Sequence, residues 1–343
     1  MSLIFFDSFE TTSTYPKSSP GCQWILQGTS STSSRFGNYA LGLSSSNNLA
    51  IPAAAKVTVG FAYNLSSFAT TAVPISLWGD GGTTQHLTLT IETTGVINLR
   101  RGTASGTIIA TGSASWPGLS QWRSIQIQAT IADAGGTCIV KLDNATIINF
   151  TGDTKNGGTN TTIDRISPNV GGSSAPLLDD LWICDGVDAT ATQGAPNNDF
   201  LGDIGVFPLH PNGNGNYSQL AGSDGNSTDN YLLVDESPPN TTDYVASATS
   251  GQHDTYTLQD LPSAAQSVIA VQPVVIASKS DTGAASIKTM LRETGGTNTT
   301  DTAAALSTSW AAYSGAIRGV KPSDGTLWAV SDVNALEAGA EVA

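Results

Sequence analysis

From residue 85 to residue 185 the chain keeps the period of a β-strand, and a period of two leaves little room for any other element. Residues Leu87 to Ile91 (LTLTI) alternate apolar and polar, Gly95 marks a turn, and Val96 to Leu99 resume the alternation, the pattern of a half-buried hairpin. The device repeats at once. Trp122 to Ile131 (WRSIQIQATI) alternates, Asp133 to Gly136 supplies a turn, Cys138 to Leu142 returns, and Asp143-Asn144 turns tightly into Ile147 to Phe150. The segment Leu177 to Asp185 (LLDDLWICD) closes the run as a further strand.

Beyond this region, strand candidates follow one another with little helical periodicity: Leu3 to Phe6, Tyr39 to Leu43, Val57 to Tyr63, Val73 to Leu77 and Ile163 to Ile166. That is the strand count of a sandwich. With 343 residues the chain exceeds one ordinary core, so two domains are expected. The small, polar stretch GVDATATQGAPNN reads as the link between them, which gives domains at 1–186 and 199–343 joined by a linker at 187–198. In the second half, Asn212 to Asn230 reads as a surface loop. Tyr231 to Val234, Tyr244 to Ala246, Asp254 to Leu258, Ser267 to Ala277, Ala285 to Arg292 and Thr326 to Val330 read as strands, and Ser331 to Ala338 as one short helix capped by Ser331. The fold expected is all-β: a jelly-roll sandwich followed by a second β-sandwich-type domain with a short C-terminal helix.

Charge narrows the partners. Only 12% of residues are charged, and Asp+Glu at 28 against Lys+Arg at 14 leave a net charge of -14 that repels phosphate backbones. Nucleic acid is excluded as an expected partner. No apolar run approaches the roughly eighteen residues that spanning a bilayer needs, and MSLIFFDSFE reads as a first strand with no signal-peptide pattern, so a soluble chain made in the cytosol is expected. Cys22, Cys138 and Cys184 are odd in number and widely spaced, which fits buried thiols.

The first half resembles a laminin-G-like, concanavalin-A-like jelly roll. The likeness rests on the opening strand ending in Asp7, on HLTLTIETTGVINLRRG, on QWRSIQIQATIADAGGTCIVKLDNATIINFTGDT, and on the closing LLDDLWICD. It implies that the last strand of the domain lies beside the first. The second half resembles the C-terminal region of structural proteins of tailed bacteriophages, through FLGDIGVFPLHPNGNGN, VDESPPNTTDYV, SVIAVQPVVIASKSDTG and DGTLWAVSDVNALEAGAEV. Together these imply a virion protein of the tail, fibre or capsid-decoration type, partnered by other virion proteins. By analogy with phage appendages it would be a homo-oligomer such as a trimer.

Sugar hydrolysis on such sandwiches calls for two carboxylates aimed into one groove. Glu92 is followed by Thr93, Thr94 and Gly95, and no second acid stands at strand spacing, so a non-enzymatic chain is expected. His86, His210 and His253 are far apart and match no familiar metal motif. Asp179, Asp180 and Asp185 are the candidate metal ligands, for calcium, because a hard cation wants several oxygens from a rigid turn. Trp78 beside Asp80, together with Trp116, is the candidate glycan site, since a ring face and polar groups at a loop rim suit a pyranose. The leading expectation is a structural protein that docks on the particle and presents a β-sandwich surface for host attachment. The alternative is a carbohydrate-binding adhesin recognising a host surface glycan.

Overall fold

The computed structural model describes residues 3–11, 17–19, 22–26, 28–43, 47–168, 176–186 and 199–343. The linker expected at 187–198 lies outside them. Two compact units form, the first reaching to Val206 and the second made of Phe207–Ala343 together with residues 17–19. The main part of the second therefore starts later than residue 199. Residues 199–206 belong to the first unit because its strands hold them. Gln128 donates to Asp199 at 2.6 Å, the Gly202 N–H donates to Gln126 at 3.0 Å, and the Lys141 ammonium sits 3.9 Å above the Phe200 ring.

The strands of the N-terminal half are, in order, β1 (Leu3–Asp7), β2 (Ser18–Ser19), β3 (Cys22–Leu26), β4 (Thr29–Ser31), β5 (Ala40–Gly42), β6 (Asn48–Ala54), β7 (Lys56–Asn64) and β8 (Ala72–Gly79). They continue with β9 (Thr84–Ile91), β10 (Ile97–Arg101), β11 (Thr107–Thr111), β12 (Trp122–Thr130), β13 (Gly136–Leu142), β14 (Ala145–Gly152), β15 (Ile163–Ser167) and β16 (Leu177–Cys184). One sheet runs β14, β13, β12, β7, β16, β5, β4, with β1 also on β16. The other runs β11, β10, β9, β8, β15, β6, β3. Both hairpins read from the alternation are present: Leu89 faces Leu99 across β9 and β10, and Ile127 faces Val140 across β12 and β13. The last strand lies beside the first, Phe6 opposite Trp182.

Alternation puts one residue in two between the sheets. Phe5, Leu49, Val57, Val59, Leu77, Leu87, Leu89, Leu99, Ile127, Leu178 and Ile183 belong to a single apolar cluster, every one of them almost fully enclosed. The three cysteines are buried and unpaired. Burial pushes the Cys22 thiol up to about 12, with the nearby Asp185 adding to the shift. Trp182 is enclosed on β16 because its partner across the ladder is Gly60, where a Cβ would stand 2.2 Å from the indole ring.

The second unit is built on a sheet running β17 (Pro211–Ser218), β20 (His253–Leu258), β26 (Glu337–Val342), β22 (Ser286–Arg292) and β23 (Asn298–Thr300), with β24 (Ala304–Ala305) also on β22. Two short pairs accompany it, β18 (Ala221–Gly222) with β19 (Val245–Ala246) and β21 (Val274–Ala277) with β25 (Ala311–Ser314). Several readings change here: the strand expected at Thr326 to Val330 is reduced to an isolated bridge between Leu327 and Val320, and Val330 already opens the helix. The expected loop from Asn212 is largely strand β17, Tyr231 to Val234 is mostly a 3-10 turn (Asn230–Leu233), and the expected helix is α1 (Val330–Asn334) followed by β26. Ala329, not Ser331, precedes α1, and its N–H is taken by the Asp332 carboxylate. No helix among the described residues is long and apolar enough to cross a membrane.

Candidate functional site

Strands β15, β8, β9 and β10 lie side by side, and their inward residues Ile166, Leu77, Leu87, Leu89 and Leu99 belong to the apolar core. The intervening residues must then point to the opposite face. The register arranges them in rows. Arg165 faces Trp78, which faces Gln85; Ser167 faces Ser76, which faces Thr88, which faces Arg100; Thr90 faces Asn98, which faces Thr111. With neighbouring strands about 4.8 Å apart, four strands carry a polar strip about 15 Å across.

The strip is layered. Ser76, Thr88, Thr90 and Asn98 are buried although they lie outside the apolar core, and longer side chains run over them. Gln85 turns its amide nitrogen onto Ser76 Oγ (2.9 Å) and Thr88 Oγ1 (2.7 Å). Arg100 directs Nε to Thr90 Oγ1 (3.3 Å), Nη1 to the Gly106 carbonyl (2.9 Å) and Nη2 to Glu92 (2.8 Å). Burial by itself would raise the Glu92 carboxyl, but donors from Arg100, Asn98, Thr90 and Thr71 outweigh it and bring the group down to about 2. Glu92 is thus a carboxylate at neutral pH, an acceptor of hydrogen bonds.

Trp78 is half-buried in the first row, and its indole N–H, itself enclosed, has no hydrogen-bond partner among the described residues. Beside it the chain turns through Asp80, Gly81 and Gly82, all with positive φ. Asp164 accepts the N–H groups of Gly81 (2.7 Å) and Gly82 (2.9 Å), and Asp80 accepts that of Asn160 (3.0 Å). The Arg165 guanidinium donates to the Gly82 (3.0 Å) and Gly81 (3.3 Å) carbonyls. Gly82 takes a φ of 71°, which favours glycine, and a Cβ there would displace the Arg165 guanidinium, whose Cζ lies 2.0 Å from that position. His86 is fully enclosed behind this turn, its Nδ1 accepting the Asn156 N–H at 3.2 Å, and burial lowers its pKa, which keeps the ring neutral.

The other sequence candidates lie elsewhere. Trp116 is a core residue, 5% exposed, with its ring edge-on to Tyr63 at 5.8 Å, so it offers no face to a ligand. Asp179 and Asp180 occupy a bulge in β16 at which Asp180 takes a φ of 52°. Asp179 accepts the N–H of Arg35 and of Asp180, each at 2.8 Å. Asp180 accepts Arg35 Nη1 at 3.2 Å and the Val206 N–H at 2.6 Å. These carboxylates pin two surface segments to β16. Among the described residues no group of three or more His, Cys, Asp or Glu side chains is placed to hold a metal ion. Burial, and next the charge of Asp180, raises Asp179 to about 8. Burial likewise raises Asp180 to about 6, held back by the Val206 N–H and by Arg35. Sequence reasoning did not single out Gln85, Arg100 or Arg165; alternation puts Arg100 on a polar phase beside Leu99, whereas Gln85 shares the phase of Leu87 and Leu89 and reaches the polar face only through the register shift between Leu77 and Trp78, and strand order was needed to bring them beside Trp78.

No family model and no curated protein matches the chain. Solved structures similar to it include an endo-β-1,4-glucuronan lyase from the fungus Trichoderma reesei, with 11% identity and a TM-score of 0.38 over 53% of this chain and 95% of the lyase. A carbohydrate-binding module, CBM66 from Bacillus subtilis, matches with 7% identity and a TM-score of 0.32 over 47% of this chain and 93% of the module. A mutant sialidase of Trypanosoma rangeli displaying trans-sialidase activity matches with 12% identity and a TM-score of 0.33, over 51% of this chain and 34% of the sialidase. A lyase and a sialidase among these structures correct the expectation of a non-enzymatic chain. The carboxylate-pair test behind that expectation belongs to glycoside hydrolysis. It does not bear on elimination.

Proposed function

We propose that the first unit is a carbohydrate-recognition sandwich whose binding surface is the polar strip of β15, β8, β9 and β10 around Trp78. The observation that carries this reading is the setting of Trp78: a half-buried indole in one row with Gln85 and Arg165, above a bonded layer of hydroxyls. A ring face takes the C–H side of a pyranose, while fixed amide and carboxylate groups read its hydroxyls. The glycan-binding module among the similar structures accords with it.

A glycan array tests the proposal. Specific binding by the intact chain that Trp78→Ala reduces at least about tenfold supports it, because an aromatic anchor typically carries much of the binding energy. A silent array, or binding indifferent to Trp78→Ala, overturns it. Incubating the bound glycan with the protein and following new reducing or unsaturated ends then tells whether recognition leads to cleavage.

The likeness of the second half to tailed-phage structural proteins supports a separate proposal, that the chain is carried on a virion as a homo-oligomer. Copurification with phage particles tests it.

A further inference from the structure

Resting on that reading of the strip, we propose that the glycan it takes is acidic, a sugar carrying a carboxylate, and that Arg165 is the residue that selects it. The row that holds Trp78 has three side chains with N–H donors, Arg165, Trp78 and Gln85. Two of them have none to give. The Trp78 N–H is enclosed, and the Gln85 amide nitrogen is committed to Ser76 and Thr88. Arg165 differs. Its Nη1 and Nη2 each spend one hydrogen on a carbonyl, of Gly82 at 3.0 Å and of Gly81 at 3.3 Å, so each keeps a second, while Nε is enclosed without a partner.

The other arginine of the strip shows the contrast. Arg100 has every nitrogen bonded, one of them to the Glu92 carboxylate at 2.8 Å. Among the described residues Arg165 is in no ion pair, and both of its acceptors are neutral. The two acids of the turn are held by the backbone instead: Asp164 takes the Gly81 and Gly82 N–H groups, one on each oxygen, and Asp80 takes that of Asn160, its second oxygen enclosed. A further cation stands nearby. Lys155 precedes Asn156, whose side-chain amide donates to the main-chain carbonyl of Gln85 at 3.0 Å, and its own ion pair is with Asp133, a carboxylate that is 78% exposed. So exposed a pair contributes little and yields readily to a competing anion. A half-buried guanidinium bonded only to neutral oxygens gains most from an acceptor that carries charge, since a charge-assisted hydrogen bond is about twice as strong as a neutral one. A sugar carboxylate is such an acceptor and a hydroxyl is not.

Calorimetry on uronic oligosaccharides, each against its own methyl ester, tests this, because the ester keeps the sugar and loses the charge: oligoglucuronate, oligomannuronate and oligogalacturonate. In the series that binds, the free acid should bind at least about tenfold more tightly than the ester. Trp78→Ala should weaken acid and ester alike. Arg165→Gln should bring the acid down to the level of the ester, and Arg165→Lys, which keeps the charge, should retain part of the preference. An ester that binds the unaltered protein as tightly as its acid, or a glycan array on which only neutral sugars bind through Trp78, overturns the acidic assignment and leaves the recognition surface standing. A preference that survives Arg165→Gln, or a variant that loses acid and ester equally, overturns the role of Arg165. Silence from every series and from the array, or binding that survives Trp78→Ala, removes the recognition surface as well.

Discussion

Where the first unit closes two sheets over a continuous apolar interior reaching from Phe5 to Ile183, the second has among its described residues a smaller cluster of Leu291, Trp328, Val333 and Leu336, with Leu209, Leu261, Val268, Val271 and Ala338 packed against it. Beside its main sheet it encloses polar groups instead. Asp254 is fully buried and accepts from the Gln219 N–H (2.5 Å), the Leu220 N–H (2.8 Å), Asn230 Nδ2 (2.7 Å) and Tyr256 Oη (3.0 Å). Glu337 accepts from Thr255 Oγ1 at 2.6 Å and from the Asn216 N–H at 2.9 Å, with a second, short bond from the Asn216 amide. Non-directional burial tolerates small losses at many places. A polar interior concentrates stability in a few acceptors, because each donor left unpaired costs its full desolvation.

The largest effect should therefore come from a single acceptor. Asp254→Ala strands four donors and is expected to cost the second unit about 4 kcal/mol, with the first unit's unfolding unchanged. Thermal unfolding followed on both units checks it, and a cost below that of Val333→Ala, about 2 kcal/mol, would break the comparison. Next comes the apolar core of the first unit, where Leu89→Ala is expected to cost about 3 kcal/mol in denaturant titration. A loss confined to the second unit would contradict the assignment of β9.

A gradual effect, spread over several pH units, is expected at the buried acid pair of β16. Both groups are raised in the folded state, Asp179 to about 8 and Asp180 to about 6, from the ordinary aspartate value of 3.8. Their contribution is thus fully present below about pH 4 and declines as pH rises, through about 6 for Asp180 and about 8 for Asp179, by at most about 1.4 kcal/mol per pH unit per group. Asp179→Asn should flatten that decline in the first unit. An unchanged slope would assign the pH dependence to other groups.

How much of this was legible in the sequence tracks the same contrast. Strands of the first unit announce themselves because one face of each is apolar, as in LTLTI and WRSIQIQATI. Strand β17, with the sequence PNGNGNYS, has no such face, and it is strand only because β20 pairs with it. Likewise Ala338 to Val342 extends between β20 and β22 although its local composition suits a helix. Neighbours on both sides outweigh propensity there.

By itself the sequence determined the all-β class, the hairpins of the first unit, its closing strand and the excess of negative charge, all of which follow from the order of residue types along the chain. Only the tertiary structure decided which tryptophan faces outward, Trp78 and not Trp116, and that Asp179 and Asp180 brace a bulge. It alone set Gln85, Arg100 and Arg165 in register with Trp78. The physical reason is that a strand's own period tells which residues share a face, whereas the order and register of the strands tell which faces meet.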